Sequence, residues 1–103
     1  RIFDELKNPE NRVSYSVIAP WELSIKAAKG KLRLPNNFFT DLPHLGFDCL
    51  DISAKHIQKL IELPRLHGDP FDRMLIAQAG SENMTLVTSD TRLSEYPIKL
   101  LVC

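Results

Sequence analysis

Three carboxylates stand out as candidates for chemistry: Glu22, Asp72 and Asp90. Carboxylates brought together repel, which raises their proton affinity. A hard divalent cation with a preference for oxygen relieves that repulsion. Mg²⁺ or Mn²⁺ suits an all-carboxylate set better than zinc, which favours His and Cys. Such a centre can activate water and stabilise in-line displacement at a phosphodiester. Each acid also has a purely structural reading. Glu22 can be an acid favoured near a helix N-terminus. Asp72 can be the N3 partner of a cap at Asp69. Asp90 can cap a turn over residues 91–94.

Asp72 is the most informative of the three. Its segment, Pro70-Phe71-Asp72-Arg73-Met74-Leu75-Ile76-Ala77-Gln78-Ala79, is apolar on nearly every helical face, which predicts a well-buried helix. A carboxylate buried there would cost several kcal/mol without compensation, and a metal ion is one compensator. A second pattern is basic. Glu22, Lys26 and Lys29 share a helical face, and Lys31 and Arg33 follow directly. The structural alternative is a solvated face with one i,i+4 ion pair; the functional one is a strip for phosphates. Thr88 and Ser89 precede Asp90, and either hydroxyl could hold a metal-bound water or a phosphate oxygen; Thr88 reads equally as a β-branched strand residue.

The elements that must position these residues follow from pattern and punctuation. Residues 1–7 read as the end of a helix, stopped by Asn8-Pro9. VSYSVI, residues 13–18, reads as a strand. Pro20 then introduces a helix over 21–29, with Gly30 as its C′ residue. Residues 35–42 offer a short helix, and FDCLDI, residues 47–52, alternates like a strand. Ser53 is the expected N-cap of a helix over 54–63, with His56 and Lys59 facing outward. Asp69-Pro70 starts a helix running to about Gly80. MTLVT, residues 84–88, and IKLLV, residues 98–102, complete the strands; spacing alone leaves the direction of the last one open. Trp21, Ile25 and Ala28 form a stripe expected to enter the core.

Strands separated by helices imply a mostly parallel sheet covered on both faces. Sites in such sheets form at the C-terminal strand edge. On this reading Glu22 lies in the first helical turn after strand 13–18, and Asp90 just past strand 84–88. Asp72 lies in the first turn of the crossover helix, whose N-terminus is at the same edge. Topology alone predicts that the three acids converge.

Bulk properties narrow the field. The 103 residues fit one small domain, with 44% hydrophobic and 25% charged residues. Thirteen basic and 13 acidic residues cancel, which argues against a polybasic coat but allows a local strip. Two cysteines, Cys49 and Cys103, and three histidines show no zinc or disulfide spacing; reduced thiols are the simpler expectation. His44, His56 and His67 are expected in loops or at the surface. No apolar run approaches the roughly 18–20 residues of a membrane span. There is no G-x-S-x-G, G-x-G-x-x-G or Walker loop.

The motifs together resemble those of PIN-domain toxins of the VapC type. The carriers are Trp21-Glu22-Leu23-Ser24-Ile25-Lys26 with Gly30-Lys31-Leu32, then Leu63-Pro64 with the block from Leu66 to Ala79, then Leu86-Val87-Thr88-Ser89-Asp90. The resemblance runs through essentially the whole chain in order. It implies a three-layer α/β/α fold, a mostly parallel sheet with helices on both faces, over residues 1–103 as one domain. It also implies a cytoplasmic Mg²⁺- or Mn²⁺-dependent endoribonuclease, the toxin of a toxin–antitoxin pair, which binds a VapB-like antitoxin and forms a homodimer. Glu22, Asp72 and Asp90 would be its metal and catalytic acids, Thr88 and Asp69 their supports. Lys26, Lys29, Lys31, Arg33 and Arg73 would meet RNA. The family begins with a central strand carrying an aspartate, roughly D-T-[HN], which these 103 residues do not supply. A gap is therefore expected between strands 13–18 and 84–88. The competing expectation is a truncated, inactive binding module that dimerises or holds an antitoxin.

Overall fold

The structure, a computed structural model, describes residues 2–66, 68–88 and 90–102. The chain divides into two compact units. Asp4–Asp51 forms one; the stretch from Ile52 onward, with the first residues of the chain, forms the other. Helix α1, Ile2–Lys7, opens the chain.

In the first unit, strand β1 (Ser14–Ser16) pairs with β2 (Asp48–Leu50) in parallel, Tyr15 opposite Cys49. Parallel neighbours need a long crossover, and helix α2 (Ile18–Ala28) supplies much of it. Both strands are shorter than the sequence pattern suggested, because a strand ends where its ladder ends. Helix α2 also begins earlier than expected. The Ile18 amide donates to Ser16 Oγ at 3.1 Å, which opens the first turn three residues before Trp21. Pro20 is tolerated there because first-turn N–H groups have no intrahelical partner to lose. The far end is as read: Gly30 has φ 73°. Its amide donates to Ala27 O, and that of Lys31 to Lys26 O, the two bonds of a Schellman motif. Helix α3 (Phe38–Asp41) and a 3-10 turn over Leu42–His44 follow.

The expected core stripe of α2 is not realised. Ile18 is buried, but Trp21 is 52% exposed and Ala28 is exposed. Along this helix burial is complete only at Ile18, and Ile25 is half-buried.

The second unit carries a true core. Helix α4 (Ala54–Glu62) packs on α5 (Pro70–Glu82). Strand β3 (Leu86–Thr88) pairs with β4 (Leu100–Val102) in parallel, which fixes the direction that spacing left open. A 3-10 turn over Thr91–Glu95 lies in the crossover. Leu63, Ile76, Ala77, Leu93 and Tyr96 are buried together, with Leu60, Met74, Leu86, Ile98 and Leu100 around them. Helix α5 runs past Gly80 to Glu82 and ends at Asn83, whose φ of 55° provides the left-handed cap. Gly80 is an interior residue: a Cβ there would lie 3.2 Å from Lys59 Cε and 3.6 Å from Ile98 Cγ2. Among the described residues, the two strand pairs are separate two-stranded sheets.

His56 corrects the surface assignment. It is 1% exposed. Its Nδ1 accepts the Ser53 amide at 3.0 Å, and Nε2 lies 2.7 Å from Glu82 Oε2. The ring therefore caps α4 with one nitrogen and ties it to the end of α5 with the other. A buried imidazole with both nitrogens satisfied costs little.

Candidate metal centre

Two of the three acids lie in the second unit, each placed by a local device. Asp69 precedes Pro70, which suits the first helical position. Its Oδ1 accepts the amides of Phe71 at 2.8 Å and Asp72 at 3.2 Å. This cap sets the first turn of α5 and places Asp72 in it. Asp90 follows β3. Its amide donates to Thr88 Oγ1 at 3.1 Å, so Thr88 shapes the turn that carries it. Asp90 Oδ1 in turn accepts the Arg92 amide at 2.9 Å, capping the 3-10 turn.

The turn brings the Arg92 side chain back over the carboxylate it caps. Arg92 Nε donates to Asp90 Oδ1 at 2.9 Å and Oδ2 at 3.1 Å, and Nη2 donates to Oδ2 at 2.6 Å. Forked contacts of this kind are strong among ion pairs. The Asp90 hydrogen bond and charge, and then the charges of Asp72 and Asp69, raise the affinity of the Arg92 guanidinium for its proton. A single cation thus sits on one acid within the field of two others.

Asp72 is only half-buried, which corrects the expectation of a deeply buried carboxylate. Enclosure of α5 is complete from Ile76 to Ala79; the first turn stands at the margin of the core. The case for a cation therefore rests on the charge that Asp90, Asp72 and Asp69 exert on Arg92 and not on desolvation. In donor chemistry this all-oxygen set fits a hard divalent ion. Among the described residues, no group of three or more His, Cys, Asp or Glu is assembled to hold one.

Arg73 is held within its unit. It donates to Pro64 O at 2.9 Å, Tyr96 Oη at 3.3 Å and Leu60 O at 3.4 Å, tying α5 to the end of α4. A shallow cavity of about 630 Å³ beside it is lined mainly by Leu60, Ile61, Leu63, Leu66 and Pro70 and contains none of the acids.

The remaining candidates belong to the first unit. Glu22 lies in the second turn of α2, not the first, because the helix starts at Ile18. Its Oε2 is 3.7 Å from Lys26 Nζ, the i,i+4 pair that the spacing allowed. Lys26, Lys29, Lys31 and Arg33 are all exposed. His67 and Ser89 lie outside the described residues, as does Cys103; Cys49 is a free, exposed thiol.

Sequence reasoning missed Arg92 and His56. A signal existed for each. An Asp-x-Arg at a tight turn can fold its guanidinium back onto the aspartate. Ser53-x-x-His56 has the spacing of a capping box with His in the Glu position.

The PIN domain family model matches residues 1–99. This chain belongs to the PIN domain family. Its fold is also similar to that in the crystal structure of VapBC2 from Rickettsia felis bound to a DNA fragment from their promoter. The TM-score is 0.78 at 26% identity, over 98% of this chain and 82% of that one. A search of curated proteins gave no match. The PIN-type α/β fold, with its parallel strands, is thus established. Among the described residues no helix is long and apolar enough to cross a membrane.

Proposed function

We propose that this PIN domain is a metal-dependent endoribonuclease, with Glu22, Asp72 and Asp90 as ligands of Mg²⁺ or Mn²⁺. The observation that supports the reading is the Asp90 carboxylate, presented just past β3 and forked by an Arg92 guanidinium on which the charges of Asp72 and Asp69 also act. An all-oxygen, negatively charged locus of this kind attracts a hard cation. When bound, such an ion activates water and neutralises charge that develops on a phosphodiester. The chain's own contributions are positional. Asp69 fixes the turn that presents Asp72, and Thr88 fixes the turn that presents Asp90. Glu22 joins the set on the strength of its sequence motif. The exposed Lys26, Lys29, Lys31 and Arg33 supply phosphate contacts, which orient RNA without reading its sequence. Arg73 is assigned the same role by its place beside Asp72, although three of its contacts are internal.

The similarity to the R. felis VapBC2 complex supports a further assignment. The chain acts as the toxin of a toxin–antitoxin pair in the cytoplasm, as a homodimer bound by a VapB-like antitoxin. A second reading is a binding module without catalysis. It is favoured by the absence of an assembled three-ligand group among the described residues.

RNA cleavage assays separate the two. Cleavage that requires Mg²⁺ or Mn²⁺ and falls at least about 100-fold in Asp72→Asn supports the enzyme, since even groups that merely orient metal ligands contribute about 10–100-fold. Cleavage independent of metal, or full activity in Asp72→Asn, refutes it. Antitoxin capture without cleavage at any metal concentration supports the binding module.

A further inference from the structure

We propose that Arg92 is a built-in counter-ion that holds the metal's place on Asp90 and must be displaced when a divalent cation binds. The inference rests on the metal reading above and concerns a residue that reading does not use.

The geometry is specific. Both carboxylate oxygens of Asp90 accept from the Arg92 guanidinium, at 2.6–3.1 Å. An oxygen that accepts a forked guanidinium has its lone pairs directed at nitrogen. A cation coordinating Asp90 must therefore take at least one oxygen from Arg92, and it meets a positive charge where it arrives. The contact is also local. Asp90 Oδ1 accepts the Arg92 main-chain amide at 2.9 Å, so residue 92 stays beside the carboxylate even after its side chain swings away.

The cost of that swing is small. The Arg92 side chain is 69% exposed and that of Asp90 26%. Ion pairs this open to water contribute little to stability, because solvent screens them and the side chain loses entropy in making them. A doubly charged ion bound by several carboxylates can outcompete such a pair. Arg92 is therefore strong enough to neutralise the acids before metal arrives and weak enough to leave. Its departure bares the Asp90 carboxylate, and the charges of Asp72 and Asp69 that act on the guanidinium then act on the incoming ion.

The test is Mn²⁺ binding to the full chain by titration calorimetry, for the unmodified protein and for Arg92→Gln, Arg92→Lys and Asp90→Asn. Arg92→Gln removes the charge while keeping most of the side chain. It is expected to bind Mn²⁺ about three- to tenfold more tightly, the range set by an exposed ion pair. Arg92→Lys keeps the charge without the fork and is expected to tighten binding about twofold. It supplies the measurement if Arg92→Gln does not fold. The rise in Tm on saturation with Mn²⁺ is expected to be larger in Arg92→Gln than in the unmodified protein. Unchanged or weaker Mn²⁺ binding in the Arg92 variants, with binding abolished in Asp90→Asn, overturns the counter-ion while leaving the metal reading intact. Equal Mn²⁺ binding by the unmodified protein and Asp90→Asn overturns the metal reading and this inference with it.

Discussion

The two units of this chain solve the problem of a small domain differently. From Ile52 onward, Leu63, Ile76, Ala77, Leu93 and Tyr96 enclose one another, and polar ties reinforce them: Asp69 caps α5, His56 joins α4 to α5, and Arg73 binds three acceptors. In Asp4–Asp51 only Ile18 is buried among the described residues. That unit relies on a three-pair ladder, a Schellman end at Gly30 and exposed ion pairs such as Arg12–Asp48. The charges divide similarly. Asp69 and Asp90 of the second unit are engaged in a cap and a fork, whereas Lys26, Lys29, Lys31 and Arg33 of the first are exposed. Rigid positioning of Asp72 and Asp90 thus comes from a core, while the basic strip sits on a unit with little core of its own.

The largest expected effect tests that contrast in packing. Ile76→Ala empties a site with 0% exposure and is expected to cost about 2–5 kcal/mol, as buried large-to-small changes do. Leu45→Ala, at a residue 60% exposed in the first unit, is expected to cost under about 1 kcal/mol. Urea unfolding of both variants measures the difference. Comparable losses would show that the first unit depends on its apolar residues as heavily as the second, and the contrast would fail.

A smaller effect sharpens the contrast in capping. The Asp69 side chain accepts two first-turn amides of α5, whereas Val17 at the start of α2 offers no capping side chain. Asp69→Ala is expected to destabilise by about 0.5–2 kcal/mol and to loosen the turn that holds Asp72. Amide exchange at Phe71 and Asp72 should rise with it while α2 is unaffected. Protection that stays unchanged at those two amides would mean that Pro70 and the core fix the turn without the cap.

These devices differ in how visible they were in sequence. The Asp69-Pro70 start and the Gly30 end of helices were legible because each depends on one residue type in one local conformation. Strand limits were not. Val13, Phe47 and Met84 have strand character but fall outside the paired registers, and pairing is a tertiary property. The burial of Asp72 was misjudged because an all-round apolar helix says that it is enclosed somewhere, not over which turns. Trp21 failed for a related reason, since a stripe enters a core only where something covers it. Arg92 lay beyond periodicity altogether: its fork depends on the shape of the turn after β3. Topology nominated the candidate acids, and it carried no sign of the cation seated on one of them.

The smallest effect concerns the tie that sequence reading placed at the surface. Glu82 receives Lys55 Nζ at 2.9 Å and His56 Nε2 at 2.7 Å. The hydrogen bonds from Lys55 and His56 hold its carboxyl below the ordinary value of 4.5. A carboxyl whose folded-state affinity for protons is lowered stabilises the fold above its unfolded value, and that contribution is lost as pH falls through the folded value. The window therefore opens near pH 4.5 and extends downward. Glu82→Gln keeps an oxygen that can accept from His56 but cannot titrate. Between pH 7 and about 5 the unmodified protein should melt slightly higher than Glu82→Gln, and below about 4.5 the two Tm curves should converge. Parallel curves throughout that range would mean that the His56–Glu82 contact contributes packing alone, and that the second unit owes its advantage to its core without help from this polar tie.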